Sequence, residues 1–76
     1  MPTLPRLIEL GAVPAVAREI IGQFANTLTR DPQRFIEHGV PAPLARELTT
    51  QAAGTKSAPR LIEFGMPPEL AREVVN

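Results

Sequence analysis

The residues that could carry chemistry in this chain are almost all arginine and glutamate, and they recur in register. Arg6, Arg34 and Arg60 are followed three positions on by Glu9, Glu37 and Glu63, while Arg18, Arg46 and Arg72 directly precede Glu19, Glu47 and Glu73. On a helix, arginine and glutamate three apart share a face and form a surface pair worth roughly a few tenths of a kcal/mol. Neighbours in sequence point in different directions and read as a solvated face. The alternative is that three equivalent charged faces meet three copies of one partner, because multivalent contact raises affinity without new chemistry. On that reading the partner-contacting residues are Arg6, Glu9, Arg18, Arg34, Glu37, Arg46, Arg60, Glu63 and Arg72, with Met66 joining them from a loop.

Other chemistry is thinly represented. The chain has no cysteine, so it carries no thiolate nucleophile, no disulfide and no cysteine zinc site. His38 is the single histidine. General acid–base or nucleophilic catalysis would need a carboxylate or nucleophile converging on it, and no spacing proposes one. We read it as a packing residue or a last-turn side chain favourable to a helix C-terminus. Neither a metal nor a cofactor is expected, and the chain reads as a non-enzyme.

Length and charge bound the rest. Seventy-six residues of 8.2 kDa make one small domain. Area scaling gives a folded surface of roughly 4,500 Å² against about 12,000 Å² unfolded, near the lower limit for folding alone. Eight basic and eight acidic residues cancel, with a pI near 6.6. A protein that coats nucleic acid carries excess positive charge, so this balance argues against a nucleic-acid partner. The longest apolar run is too short for a membrane span or a signal-peptide core.

What must position these residues is an internal repeat. Arg6-Leu7-Ile8-Glu9-Leu10-Gly11 recurs as Arg34-Phe35-Ile36-Glu37-His38-Gly39 and as Arg60-Leu61-Ile62-Glu63-Phe64-Gly65. Each copy continues alike, through Val16-Ala17-Arg18-Glu19-Ile20, Leu44-Ala45-Arg46-Glu47-Leu48 and Leu70-Ala71-Arg72-Glu73-Val74. Thr3, Asp31 and Ser57 stand where an N-cap belongs, and Pro5, Pro32 and Pro59 follow where a missing N–H costs nothing. Gly11, Gly39 and Gly65 fall where a helix takes a left-handed C′ residue, and Pro14, Pro41 and Pro67 restart the chain as a second helix.

Val16, Ile20, Phe24 and Leu28 form an apolar stripe at four-residue spacing. Leu7/Ile8, Phe35/Ile36 and Leu61/Ile62 are the apolar residues of the first helices. Ala17, Ala45 and Ala71 let paired helices approach closely, and Phe24, Phe35 and Phe64 read as core. The pattern predicts an all-α fold of three tandem helix-turn-helix hairpin repeats over residues 3–29, 31–53 and 57–76. It has about six short helices, with Ala53-Gly54-Thr55-Lys56 as the one soft linker. Glycine spacings of 28 and 26 residues leave a linear stack and a closed three-unit arrangement equally open. The third hairpin is shorter than the first, so another subunit could complete its apolar face, and homo-oligomerisation is a possible outcome.

Three resemblances bear on function. Gly11, Val13 and Ala17 resemble the spacing of helix-hairpin-helix motifs, whose glycine loop presents backbone N–H groups to a DNA phosphate. The decisive position here holds Val13, Pro41 and Pro67, and proline has no N–H to offer. Each unit also looks like the first two helices of a ubiquitin-associated domain, with Gly65-Met66 closest to its loop. The aromatic that this family uses for its partner is replaced by Ala12, Val40 and Met66. Finally, the segments of the form Leu-x-x-x-Gly-x-Pro-x-x-Leu-Ala-x-Glu-Val resemble small structural proteins of tailed-phage virions, including head-associated and decoration proteins. That resemblance implies a non-enzymatic protein that binds capsid or other virion subunits and is located in the virion. An adaptor binding one cellular protein in the bacterial cytoplasm is the alternative, and a DNA-associated hairpin protein the second.

Overall fold

Proline and glycine punctuate the chain into short helices. The computed structural model describes residues 3–25, 30–54 and 56–75. It contains α1 (Leu4–Glu9), α2 (Pro14–Ala25), α3 (Pro32–Glu37), α4 (Ala42–Ala52), α5 (Ala58–Glu63) and α6 (Pro68–Val75), with no strand among the described residues. The protein is all-α. Leu28 and Thr55 lie outside the described residues, so the last position of the predicted stripe and part of the predicted linker are not placed.

Thr3, Asp31 and Ser57 are the N-cap residues of α1, α3 and α5, all in extended conformation. Only Asp31 caps through its side chain, accepting from the Gln33 N–H at 3.0 Å. Thr3 and Ser57 make no such bond, which corrects the expectation that all three would. Val13, Pro41 and Pro67 instead play one shared role. Their carbonyls accept the first intrahelical bonds, from Ala17, Ala45 and Ala71, at 2.8–2.9 Å. A proline suits that position because only its carbonyl is needed there.

The turn after each first helix is a Schellman motif. Gly11, Gly39 and Gly65 adopt φ of +111°, +101° and +112°, a region costly to any residue with a Cβ. The N–H of the glycine bonds the carbonyl of Ile8, Ile36 or Ile62, and the next N–H, of Ala12, Val40 or Met66, reaches Leu7, Phe35 or Leu61 at 3.0 Å. Both residues of each such pair are buried, which is the apolar contact that accompanies this motif.

The core repeats the sequence. Leu7, Phe35 and Leu61 have no exposed surface, and neither do Ala17, Ala45 and Ala71, nor Ile20, Leu48 and Val74. Alanine at the middle position is the small residue that lets paired helices meet. Phe24 is half-buried against this core. Ile8, Ile62 and Phe64 are 40%, 37% and 39% exposed, contrary to the expectation that they supply core. Each first helix is under two turns long and has room to bury one large side chain fully.

Helices α1 and α2 pack together, as do α3 and α4, and α5 and α6. Contacts also join α2 to α3, α4 to α5 and α6 back to α1. This last contact closes a ring and excludes a linear stack. The molecule measures 26 × 22 × 22 Å with an accessible surface of 4331 Å², close to the value expected from mass.

Candidate functional site

The glutamates that follow Arg18 and Arg46 do not lie on the solvated face expected of them. In α2 and α4, Glu19 and Glu47 are 9% and 6% exposed. One helix turn on, Gln23 and Gln51 are 1% and 0% exposed. A buried carboxylate needs a charge partner and hydrogen bonds, and both come from the following unit. Arg34 Nε donates to Glu19 Oε2 and Arg60 Nε to Glu47 Oε2, each at 2.9 Å. The third junction is looser, with Arg6 Nε lying 3.5 Å from Glu73 Oε1. One Glu–Arg contact therefore spans each joint of the ring.

The glutamines complete the clamp. Gln23 Nε2 donates to Glu19 Oε2 at 2.7 Å and to the Asp31 carbonyl at 3.0 Å, while the Asp31 N–H donates back to Gln23 Oε1 at 3.0 Å. Gln51 binds Ser57 in the same way, at 2.7 and 2.9 Å, and donates to Glu47 Oε2 at 3.4 Å. Each primary amide thus pairs with both backbone polar groups of the next N-cap residue. Among the described residues no buried side-chain nitrogen or oxygen lacks a partner.

These contacts set the carboxyl pKa values. Burial pushes the Glu19 carboxyl up, but hydrogen bonds from Arg34 and Gln23, with the Arg34 charge, together leave it below its ordinary value of 4.5. At Glu47 the hydrogen bond from Arg60 is the largest influence and, with Gln51, outweighs burial, so this carboxyl is lowered as well.

The predicted contact residues therefore divide. Arg6, Arg34 and Arg60 reach Glu73, Glu19 and Glu47 within the chain. Of the expected three-apart pairs, only Arg6–Glu9 forms, at 3.6 Å. Arg34 and Arg60 pass over Glu37 and Glu63 because a buried carboxylate is the stronger acceptor. Glu9, Arg18, Glu37, Arg46, Glu63 and Arg72 are exposed. Met66 is 5% exposed and packs into the core. His38 is exposed and ends α3 as its C-cap. Glu19, Gln23, Glu47 and Gln51 were missed by the sequence reading. Their signal was a glutamine four residues after the repeated glutamate in the first two units.

Two kinds of concavity result. At one end, the three glycine loops surround an apolar depression of about 180 Å³, floored by Ile20, Leu44, Leu48 and Leu70. Ala12, Val40 and Met66 line it, and Val13 on its wall is 58% exposed. On the flank, a groove of about 510 Å³ runs between α2 and α3, lined by Arg18, Glu19, Gly22, Gln23, Arg34 and His38 with Ala15. Arg6, Leu10, Glu69, Arg72 and Glu73 line a similar groove where α6 meets α1.

Two successive loop N–H groups in each unit are engaged internally rather than turned toward a phosphate. Those of Gly11 and Ala12, and their counterparts in the other units, close the Schellman turns. Likewise Ala12, Val40 and Met66, which replace the contact aromatic of ubiquitin-associated domains, are buried. No protein-family model matches the chain, and no curated protein or solved structure matches it.

Proposed function

We infer that this protein is a non-enzymatic binding module that docks on a symmetric protein assembly through one end and flank of its ring. The observation that carries this reading is closure of three similar units by one repeated contact, Glu19–Arg34, Glu47–Arg60 and Glu73–Arg6. Closure brings the three glycine loops to one end around an apolar depression, and leaves Arg18, Arg46 and Arg72 exposed at equivalent positions, one per unit. Such a body can repeat one contact on up to three copies of a subunit, which multiplies weak interfaces. In its most concrete form the partner is a capsid or other virion subunit of a tailed phage, in line with the resemblance of the repeated segments. The chain is then a minor, head-associated component of the virion.

The test is co-sedimentation with purified phage particles of the same source. The triple variant Arg18→Ala, Arg46→Ala and Arg72→Ala retains its helical circular dichroism and loses binding. Binding that survives the triple change returns these arginines to solvated surface. A one-to-one complex with a single cellular protein, and none with particles, overturns the virion assignment in favour of an adaptor.

A further inference from the structure

Two departures from the repeat meet in the groove between α2 and α3. His38 stands where the other units have Leu10 and Phe64. Gly22 stands where the second unit has Thr50, and a Cβ built on Gly22 meets nothing within 4 Å. The glycine therefore leaves open space beside Arg18, Arg34 and His38, all of which line the groove.

Arg34 is held by its Nε bond to buried Glu19. That bond uses one of its five N–H donors. Among the described residues no side-chain hydrogen bond or ion pair engages its two terminal nitrogens, nor any nitrogen of Arg18. A guanidinium anchored on one edge presents the other as a directed fork for an oxyanion.

We propose that this groove binds a phosphate monoester or inorganic phosphate, held by the terminal nitrogens of Arg34, the guanidinium of Arg18 and the imidazole of His38. A carboxylate offers two oxygens, whereas phosphate offers three or four, enough for one to each of these three side chains that line the groove. Glu19 and Arg34 offset each other's charge, which leaves Arg18 as the net positive charge lining the groove. Asp31 and Glu37 also act on Arg34, so long-range attraction is weak and recognition rests on contact geometry. The site shares Arg18 with the docking surface inferred above, but His38 and Gly22 belong to it alone, so His38→Leu and Gly22→Thr test phosphate binding without touching the docking arginines.

The test is a nitrogen–proton chemical-shift titration of the intact chain with inorganic phosphate at constant ionic strength. Saturable shifts confined to the amides around Arg18, Gly22, Arg34 and His38 are expected. Arg18→Ala, His38→Leu and Gly22→Thr should each weaken apparent affinity, by about tenfold for a lost charged contact. The last two substitutions bring in residues that the repeat itself uses, and helical circular dichroism checks each variant. Shifts that rise linearly without saturation, that are as large around Arg46 and Arg72, or that survive all three variants overturn the proposal. So does acetate binding as tightly as phosphate. N-acetyl-phosphoserine amide distinguishes the source. Tighter binding than inorganic phosphate supports the site with a phosphorylated side chain as its ligand, and equal binding supports it with the free anion.

Discussion

Arg34 donates from Nε to Glu19 Oε2 across 2.9 Å, joining the first helix of one unit to the second helix of the unit before it. The relationship is asymmetric, since Arg34 remains half-exposed while the carboxylate is buried. Water can solvate the arginine if the bond breaks, but not the glutamate. The cost of losing the pair therefore falls on the carboxylate and on the glutamine that shares it.

Removing a clamp carboxylate should loosen one joint of the ring. Glu47→Ala leaves the Gln51 amide one partner short and opens space beside it, and we expect a loss of about 1–3 kcal/mol. Glu63→Ala, on an exposed face, should stay within about 0.5 kcal/mol. Urea denaturation followed by circular dichroism compares them. Equal losses would mean that Glu47 is no better ordered than a surface residue.

Gln51→Ala should be worse than its polar character suggests. It strips the Ser57 N–H and carbonyl of their partners at once, for an expected cost of about 2–4 kcal/mol. Amide hydrogen exchange offers a second readout. Ser57 and Asp31 should exchange slowly in the native protein, and only Ser57 should become fast in the variant.

Acid should open the ring at these joints. A carboxyl whose pKa is lowered on folding contributes stability that is fully present above the unfolded value of 4.5 and is lost as pH falls through the folded value below it. The urea midpoint should thus hold level above that region and fall beneath it. Glu19→Gln with Glu47→Gln should start less stable and show a flatter decline. An unchanged slope would place the acid sensitivity in other carboxylates.

Core and turn should fail by different mechanisms. Ile20→Ala empties a fully buried site and should cost about 2–5 kcal/mol, a loss that a chain this small can barely tolerate. At Gly39 a new side chain has open space, yet φ is +101°. Gly39→Val should therefore destabilise through backbone strain alone, and Gly39→Asn less so because asparagine tolerates left-handed φ better. Thermal melts separate the two classes, since a cavity at Ile20 should be partly rescued by Ile20→Val.

Local structure was legible in the sequence because its causes are local. Pro5, Pro32 and Pro59 start helices by fixing φ, while Gly11, Gly39 and Gly65 end them by accepting a left-handed one. The residue two places before each Gly-capped turn's last helical position, Leu7, Phe35 or Leu61, follows the periodicity into the core. What depends on which unit meets which could not be read this way. Arg34 was assigned to Glu37, three residues off, because helical spacing ranks only neighbours on one helix. It bonds Glu19 because ring closure brings a buried carboxylate, with stronger need of a donor, within reach. Met66 looked like a loop residue free to touch a partner, yet the Schellman turn folds it back onto Leu61. Sequence determined the helices, the glycine turns that close the first helix of each unit, and the one large side chain that each first helix buries fully. Tertiary structure alone decided that the units close into a ring and that half the repeated charges hold it shut. Only packing determines which charges lose their water and must find each other.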